Sequence, residues 1–226
     1  AKGAGPRPIL FLATCDEESG HGGARAWAAL GRKALFGVVG EPTGLEIVRA
    51  HKGIARWDLR TTGVSAHSSS RDKGVCAITR MARVVLCLER FYQDVLRHRR
   101  HPLLGSASLS VGVIHGGQNV NTVASRCEIQ VDRRLLPGET PATAWQEIEQ
   151  ALRQDPAIDF DVECVRKRME LPGLDTPFDS LAVAAAQAAC RRVLGAAPVS
   201  GVAYGTDGAI LAQAGIPCVI LGPGDI

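Results

Sequence analysis

The stretch ATCDEESGHGG, residues 13–23, sets Asp16, Glu17 and Glu18 side by side directly after the apolar run ILFL. Carboxyl groups so crowded repel one another unless a proton or a cation neutralises them, which makes a divalent metal the natural partner. A second acid, Glu41 in GEPT, follows a second apolar run, LFGVV. Acids after a strand are often no more than a solvated loop. Here the Gly-rich turn and the arrival of another acid at an equivalent position argue for a site. Neighbouring residues in a turn do not serve one metal with the same geometry, so one glutamate is expected to ligate while the other faces bound water as a general base.

A further polar cluster, GVSAHSSSRDKG, carries His67 in a turn between a strand and a helix. A histidine in a loop is normally just solvated, and His21, His98, His101 and His115 are read that way. The basic run Arg97-His98-Arg99-Arg100-His101 reads as a solvated helix end.

The elements that must position these groups fall into two kinds. Residues 8–13, 35–39 and 216–221 are continuous apolar runs, as expected of parallel strands covered on both faces. Ligands bind beyond the carboxyl ends of such strands, where both acid groups lie. Between these runs the pattern alternates: Ala55, Trp57 and Leu59; Leu109, Val111 and Val113; Cys127, Ile129 and Val131; Phe160, Val162 and Cys164. That predicts four half-buried strands. Ile78, Met81, Val85 and Leu88 share one helical face, and a second helix opens at Thr140-Pro141 and carries Trp145, Ile148 and Leu152. The order from about 53 to 166 is therefore βαββαβ, a ferredoxin-like module inserted into an α/β layer. A last helix is predicted from near Asp179 to a stop at Gly195, and residues 170–177 read as a linker.

With 226 residues, 46% of them hydrophobic, the chain can bury an ordinary core, and its net charge of +3 is too mild to imply a nucleic-acid partner. The seven cysteines form no CxxC pair, which excludes a zinc knuckle or a disulfide framework and suits the cytoplasm. No apolar run reaches the roughly 18 residues of a membrane span. The chain opens without Met, almost at once on a core-like run, and is expected to be the interior of a longer polypeptide.

Seven collinear segments, ATCDEESGHGGAR, GEPTGLEIVRAHKG, SAHSSSRDKGVCAI, GGQNVNTVAS, VDRRLLPGET, YGTDGAILAQAGIP and LGPGDI, together resemble the di-zinc amidohydrolase and exopeptidase family of acetylornithine deacetylase, succinyl-diaminopimelate desuccinylase, aminoacylase and glutamate carboxypeptidase. The resemblance covers essentially the whole chain. It implies a metallo-exopeptidase-like catalytic domain formed by residues 1–50 and 167–226, truncated at both ends, with residues 51–166 as an inserted lid and dimerisation domain. Glu17 would activate the water between two metals, Glu18 and Glu41 would ligate them, and Asp16 would be a supporting acid. His67 would reach across a homodimer to the scissile carbonyl. Asn121 and Arg134 would hold the substrate, and Gly205, Thr206 and Gly222 would line the pocket.

The implied reaction is hydrolysis of an N-acyl amino acid in the cytoplasm, on two divalent ions: zinc first, cobalt or manganese possible. GEPTGLEIVRAHKG and LGPGDI resemble the acetylornithine deacetylase branch, and hence arginine biosynthesis, most; desuccinylase, aminoacylase and carboxypeptidase-like specificities stay open, as does a non-catalytic dimerising relative. The chain departs from the family in lacking an early HxD histidine and aspartate and a histidine after GPG. By itself it is expected to bind zinc weakly and to turn nothing over.

Overall fold

The computed structural model describes residues 8–225. Residues 1–7 and 226, at the outer ends of the expected catalytic segments, lie outside them. In chain order the elements are α1 (Gly22–Ala29), β1 (Gly37–Val39), β2 (Ile47–His51), β3 (Gly53–Thr62), α2 (Ala77–Asp94), β4 (Arg100–His101), β5 (Gly105–Ser106), β6 (Ser108–Gly116), β7 (Arg126–Leu135), α3 (Pro141–Gln154), β8 (Glu163–Leu171), β9 (Leu174–Asp175), α4 (Leu181–Leu194), β10 (Val199–Val202), α5 (Gly208–Gln213) and β11 (Cys218–Ile220).

The alternating segments form the expected ferredoxin-like sheet, ordered β6-β7-β3-β8 and antiparallel throughout. One face is apolar: Trp57, Leu59, Ile129 and Val131 pack against Met81 and Leu88 of α2 and Ile148 of α3. The other carries a ladder of ion pairs, with Arg56 on Asp132 at 2.6 Å and Arg60 on Glu128 at 2.6 Å. The helix α3 starts where Thr140 caps it and Pro141 fills its first turn.

Two sequence expectations shift here. The buried face of α2 runs through Ala77, Met81, Val84 and Leu88, while Ile78 is 43% exposed. The Thr61 hydroxyl donates to the Ala77 carbonyl at 2.9 Å, and that close approach turns the small residue inward and Ile78 out. The last strand begins at Glu163 and continues to Leu171, beyond the expected boundary at 166. Phe160 and Val162 pack on the core before the strand starts, so their alternation is a matter of burial and not of pairing.

The second sheet runs β1-β11-β2-β10, with β9 also on β2. It is mixed, where a parallel sheet is expected: β1 and β11 are parallel, as are β2 and β10, but β2 is antiparallel to β11 and to β9. The expected linker at 170–177 supplies the end of β8 and all of β9. The expected strand at 8–13 is absent. Those residues pair with no strand among the described residues, and Ile9 is 95% and Phe11 88% exposed. An apolar run becomes a strand only beside a free edge and under a covering layer, and among the described residues this one has neither. The helix at 181–194 matches expectation, capped by Ser180 and ended by Gly195 in the left-handed region, φ 76°.

Candidate functional site

Because β1 and β11 run parallel, the loops after them leave the sheet on the same side. The first carries Glu41, the second Gly222, and the two are stitched together: Thr43 and Leu45 donate backbone N–H groups to the Gly222 carbonyl at 3.2 and 3.0 Å. A Cβ on Gly222 would lie 2.5 Å from the Glu41 carbonyl oxygen, so only glycine admits this approach.

The acid turn meets this edge from the side of α1. Asp16 and His21 hold left-handed backbone, φ 61° and 60°, around the single 3-10 turn Glu17–Ser19. Neither is glycine, so each costs on the order of 1 kcal/mol unless the surroundings impose it. The imposing contacts converge on Asp207, at the start of α5. Its carboxylate accepts from the Thr14 hydroxyl at 2.7 Å and lies 2.8 Å from His21 Nδ1. A carboxylate can only accept, so His21 carries its proton on Nδ1. The same nitrogen is 3.8 Å from Glu17 Oε1.

The outcome is a crowd of negative charge. Burial raises the Glu17 carboxyl above the usual range; the His21 ring opposes this, while Glu41, Glu18 and Asp207 add to it. Glu41 is raised by burial first, then by Asp207 and Glu18, against the opposing His21. Glu17, Glu18 and Glu41 thus lie near enough to perturb one another, although no strand leads into the first two as the apolar run predicted. Asp16 stays at the edge of the turn, its backbone carbonyl accepting from Ser19 and His21. Thr206 is 1% exposed and its hydroxyl accepts from Gly208 N–H at 3.1 Å, so it braces α5 and presents no side chain to solvent. A Cβ on Gly205 would fall 2.3 Å from Leu171 Cδ2, which seats the GTDG turn on the end of β8.

Two histidines read as solvated are not. His21 is 2% exposed and part of the acid cluster. His101 lies 3.2 Å from Asp175 with its side chain 14% exposed, and Arg99 in the same basic run binds Glu139 and Glu147, both at 2.8 Å. His98 and His115 are exposed as expected. Asp207 was not picked out from the sequence, although it directly follows Gly205 and Thr206 of GTDG, which were. The signal available was an acid opening a short helix two residues after a glycine.

In the lid, His67 and Asn121 come together. Ser68 N–H donates to the Asn121 carbonyl at 2.9 Å, and both side chains are exposed. His67 Nδ1 accepts from Ser69 N–H at 3.2 Å, which leaves the proton on Nε2. Arg134 lies on the polar face of β7, as the alternation predicts, and donates to Asp132 at 2.8 Å. No hydrogen bond or ion pair links these lid residues to the acid cluster among the described residues.

As donors, Glu18 and Glu41 offer hard oxygen to a divalent ion, and the uncompensated charge around them favours one. Among the described residues, however, no group of three or more His, Cys, Asp or Glu side chains is arranged to hold a metal. These carboxylates fit a metal centre in charge and chemistry without completing one.

The sequence profile of the peptidase dimerisation domain matches residues 49–159. The acetylornithine deacetylase of Vibrio vulnificus is 33% identical over 224 residues, 97% of this chain and 58% of that protein. That of Myxococcus xanthus is 34% identical over 230 residues, 97% of this chain and 57% of that protein. The chain therefore spans somewhat more than half the length of these relatives. Among solved structures, aminopeptidase PepT from Bacillus cereus superposes with a TM-score of 0.69 at 24% identity, over 92% of this chain and 54% of that one. A tripeptidase from Staphylococcus aureus does so with a TM-score of 0.65 at 20% identity, over 88% of this chain and 53% of that one. The structural likeness supports the fold, and the sequence relatives together with the peptidase dimerisation domain support a lineage shared with the acetylornithine deacetylases.

Proposed function

We propose that the natural polypeptide is a metal-dependent hydrolase of N-acyl amino acids, with N-acetylornithine as its substrate. The observation that carries the reading is the gathering of Glu17, Glu18 and Glu41 at one edge of the mixed sheet, with the Glu17 and Glu41 carboxyls held above their usual range. A carboxylate made more basic in this way suits proton transfer near neutrality. In the proposed reaction Glu17 takes the proton of the attacking water and passes it to the leaving amine. His67, with Nε2–H exposed, donates to the carbonyl oxygen as charge develops there. Arg134 exchanges Asp132 for the substrate carboxylate, which a guanidinium can fork, and Asn121 holds the substrate beside it. The Gly205, Thr206 and Gly222 turns shape the floor through their backbone.

Members of the family are generally metal-dependent. When bound, divalent ions, with zinc the first choice, would polarise the carbonyl and acidify water. Glu18 and Glu41 are the residues here that would help hold them. The dimerisation domain supports a homodimer in which His67 serves the partner's site, with residues 51–166 as lid and residues 1–50 with 167–226 as the catalytic part. No helix among the described residues is long and apolar enough to cross a membrane; we place the protein in the cytoplasm and assign it no nucleic-acid or membrane partner.

The test is metal-dependent release of ornithine from N-acetylornithine by the natural polypeptide, with Glu17→Gln alongside. Turnover is expected to need added metal and to fall roughly 10²–10⁴-fold in the variant. Activity on a succinyl-diamino acid, another N-acyl amino acid or a peptide instead would keep the mechanism and replace the substrate. Silence on all of them would favour a non-catalytic dimerising relative.

A further inference from the structure

The acid turn carries the two glutamates proposed as base and ligand, yet its backbone is unfavourable at both ends, with Asp16 and His21 at positive φ. The residues that bracket it, Thr14 before and His21 after, reach opposite oxygens of one carboxylate: Thr14 Oγ1 donates to Asp207 Oδ2 at 2.7 Å, and His21 Nδ1 lies 2.8 Å from Oδ1. Asp207 is 5% and His21 2% exposed, so these bonds are sheltered from competing water. The other bonds on the turn are Ser19 and His21 N–H to the Asp16 carbonyl, Gly23 N–H to the Cys15 carbonyl and Arg25 Nε to the Gly20 carbonyl, none of which reaches the sheet edge that carries Glu41. Glu17 through Ser19 include no buried residue, and Ile9 and Phe11 just upstream lie open to solvent.

The geometry points to Asp207 as a staple that closes the acid turn, and to His21 and Thr14 as its two prongs: positioning residues that aim Glu17 and Glu18 without touching substrate. This rests on the roles of Glu17 and Glu18 proposed above. It also explains why a histidine stands in a Gly-rich turn. Only its Nδ1–H is needed, a donor at the same distance from the backbone as the side-chain amide of asparagine. Asparagine is, besides, the non-glycine residue most at ease in left-handed backbone.

That equivalence supplies the test. Hydrogen exchange at the amides of residues 15–22 and kcat on N-acetylornithine are measured for the natural polypeptide and for His21→Leu, His21→Asn and Thr14→Val. His21→Leu is expected to speed exchange in the turn roughly ten- to a hundredfold, the scale of one lost hydrogen bond to a charged group, and to lower kcat with KM little changed. Thr14→Val should do the same to a smaller degree, and His21→Asn should restore both readouts to near the parent level. If His21→Asn is as impaired as His21→Leu in kcat, the ring acts chemically and the staple is wrong. Unchanged exchange in His21→Leu would equally overturn it. Should the parent hydrolyse no N-acyl amino acid, the functional reading fails alone, because the exchange comparison of Leu against Asn still decides whether the staple exists.

Discussion

In the lid, β3 pairs with β7 over ten residues in unbroken register, Gly53–Thr62 against Leu135–Arg126. In the mixed sheet, among the described residues, no pairing runs beyond four residues, and β11 meets β2 only at Ile220 and Val48. The lid encloses one continuous apolar core, whereas the mixed sheet has two small clusters and leaves Leu30, Leu35 and Val38 more than half exposed. The candidate site sits on the second kind of structure. Its acids are held by hydrogen bonds between loops, Thr14 and His21 on Asp207 and Thr43 on Gly222, more than by packing. The difference teaches that cohesion and chemistry are separated in this chain: the strongest packing lies in the lid, and the mutually repelling carboxylates of the candidate site lie where packing is thin.

The harshest way to break this contrast is Trp57→Ala. Trp57 is fully buried on β3, its ring 5.6 Å from that of Trp145 on α3. Truncation should cost about 3–5 kcal/mol, read by chemical denaturation. Trp57→Phe should cost far less, since the indole N–H has no partner among the described residues to lose. If the two regions are energetically distinct, exchange protection will collapse over residues 53–171 and persist in β2, β10 and β11. Loss of both together would show that the mixed sheet borrows its order from the lid.

How much could be read from the sequence follows the same division. The lid was legible because each strand needs only its own period-two pattern, and the helix start at Thr140-Pro141 is local chemistry. Even there, the inward position after Val131 is Arg133, fully buried and held by Glu139 and Glu147 at 3.1 and 2.7 Å, a charge that alternation alone cannot place. In the mixed sheet, β2 and β10 were missed and the run at 8–13 was taken for a strand, because pairing there depends on residues far away in the chain. Glu17, Glu18 and Glu41 announced themselves by crowding. His21 and Asp207 did not, because a pair 186 residues apart leaves no local signature.

A milder perturbation acts on the mixed sheet alone. His51 at the end of β2 is fully buried, its Nε2 has no partner among the described residues, and its pKa is lowered to about 4, burial being the largest cause and His21 adding to it against the Lys52 carbonyl. Between pH 6.5 and about 4 the unfolded chain therefore binds a proton that the folded chain refuses, and stability must fall as pH falls through that window. At pH 5 the loss is on the order of 2 kcal/mol relative to pH 7. Denaturation curves at both pH values should show it, His51→Leu should flatten that part of the dependence, and exchange should locate the loosening in β2 and its neighbours. An equal slope in His51→Leu would assign the effect elsewhere.

The finest comparison sets one helix cap from each region side by side. Thr140 caps α3 reciprocally: its hydroxyl accepts from Thr143 N–H at 3.1 Å while its own N–H donates to the Thr143 hydroxyl at 3.0 Å. Ser180 caps α4 one way, accepting from Val183 N–H at 3.3 Å. Loss of such a cap typically costs about 1 kcal/mol, and the reciprocal box should sit above that figure and the long single bond below it. Thr140→Ala is thus expected to lower stability by about 1–1.5 kcal/mol and Ser180→Ala by about 0.5 kcal/mol, in parallel denaturation series. If the contrast between the regions is right, the global transition will register Thr140→Ala in full, because α3 seals the lid core. Ser180→Ala should appear mainly as faster exchange in the first turn of α4, since a thinly packed layer opens locally before it unfolds as a whole. A Ser180 effect as large and as global as that of Thr140 would mean that α4 is welded to the rest of the fold more firmly than its small cluster around Val183 and Cys190 implies.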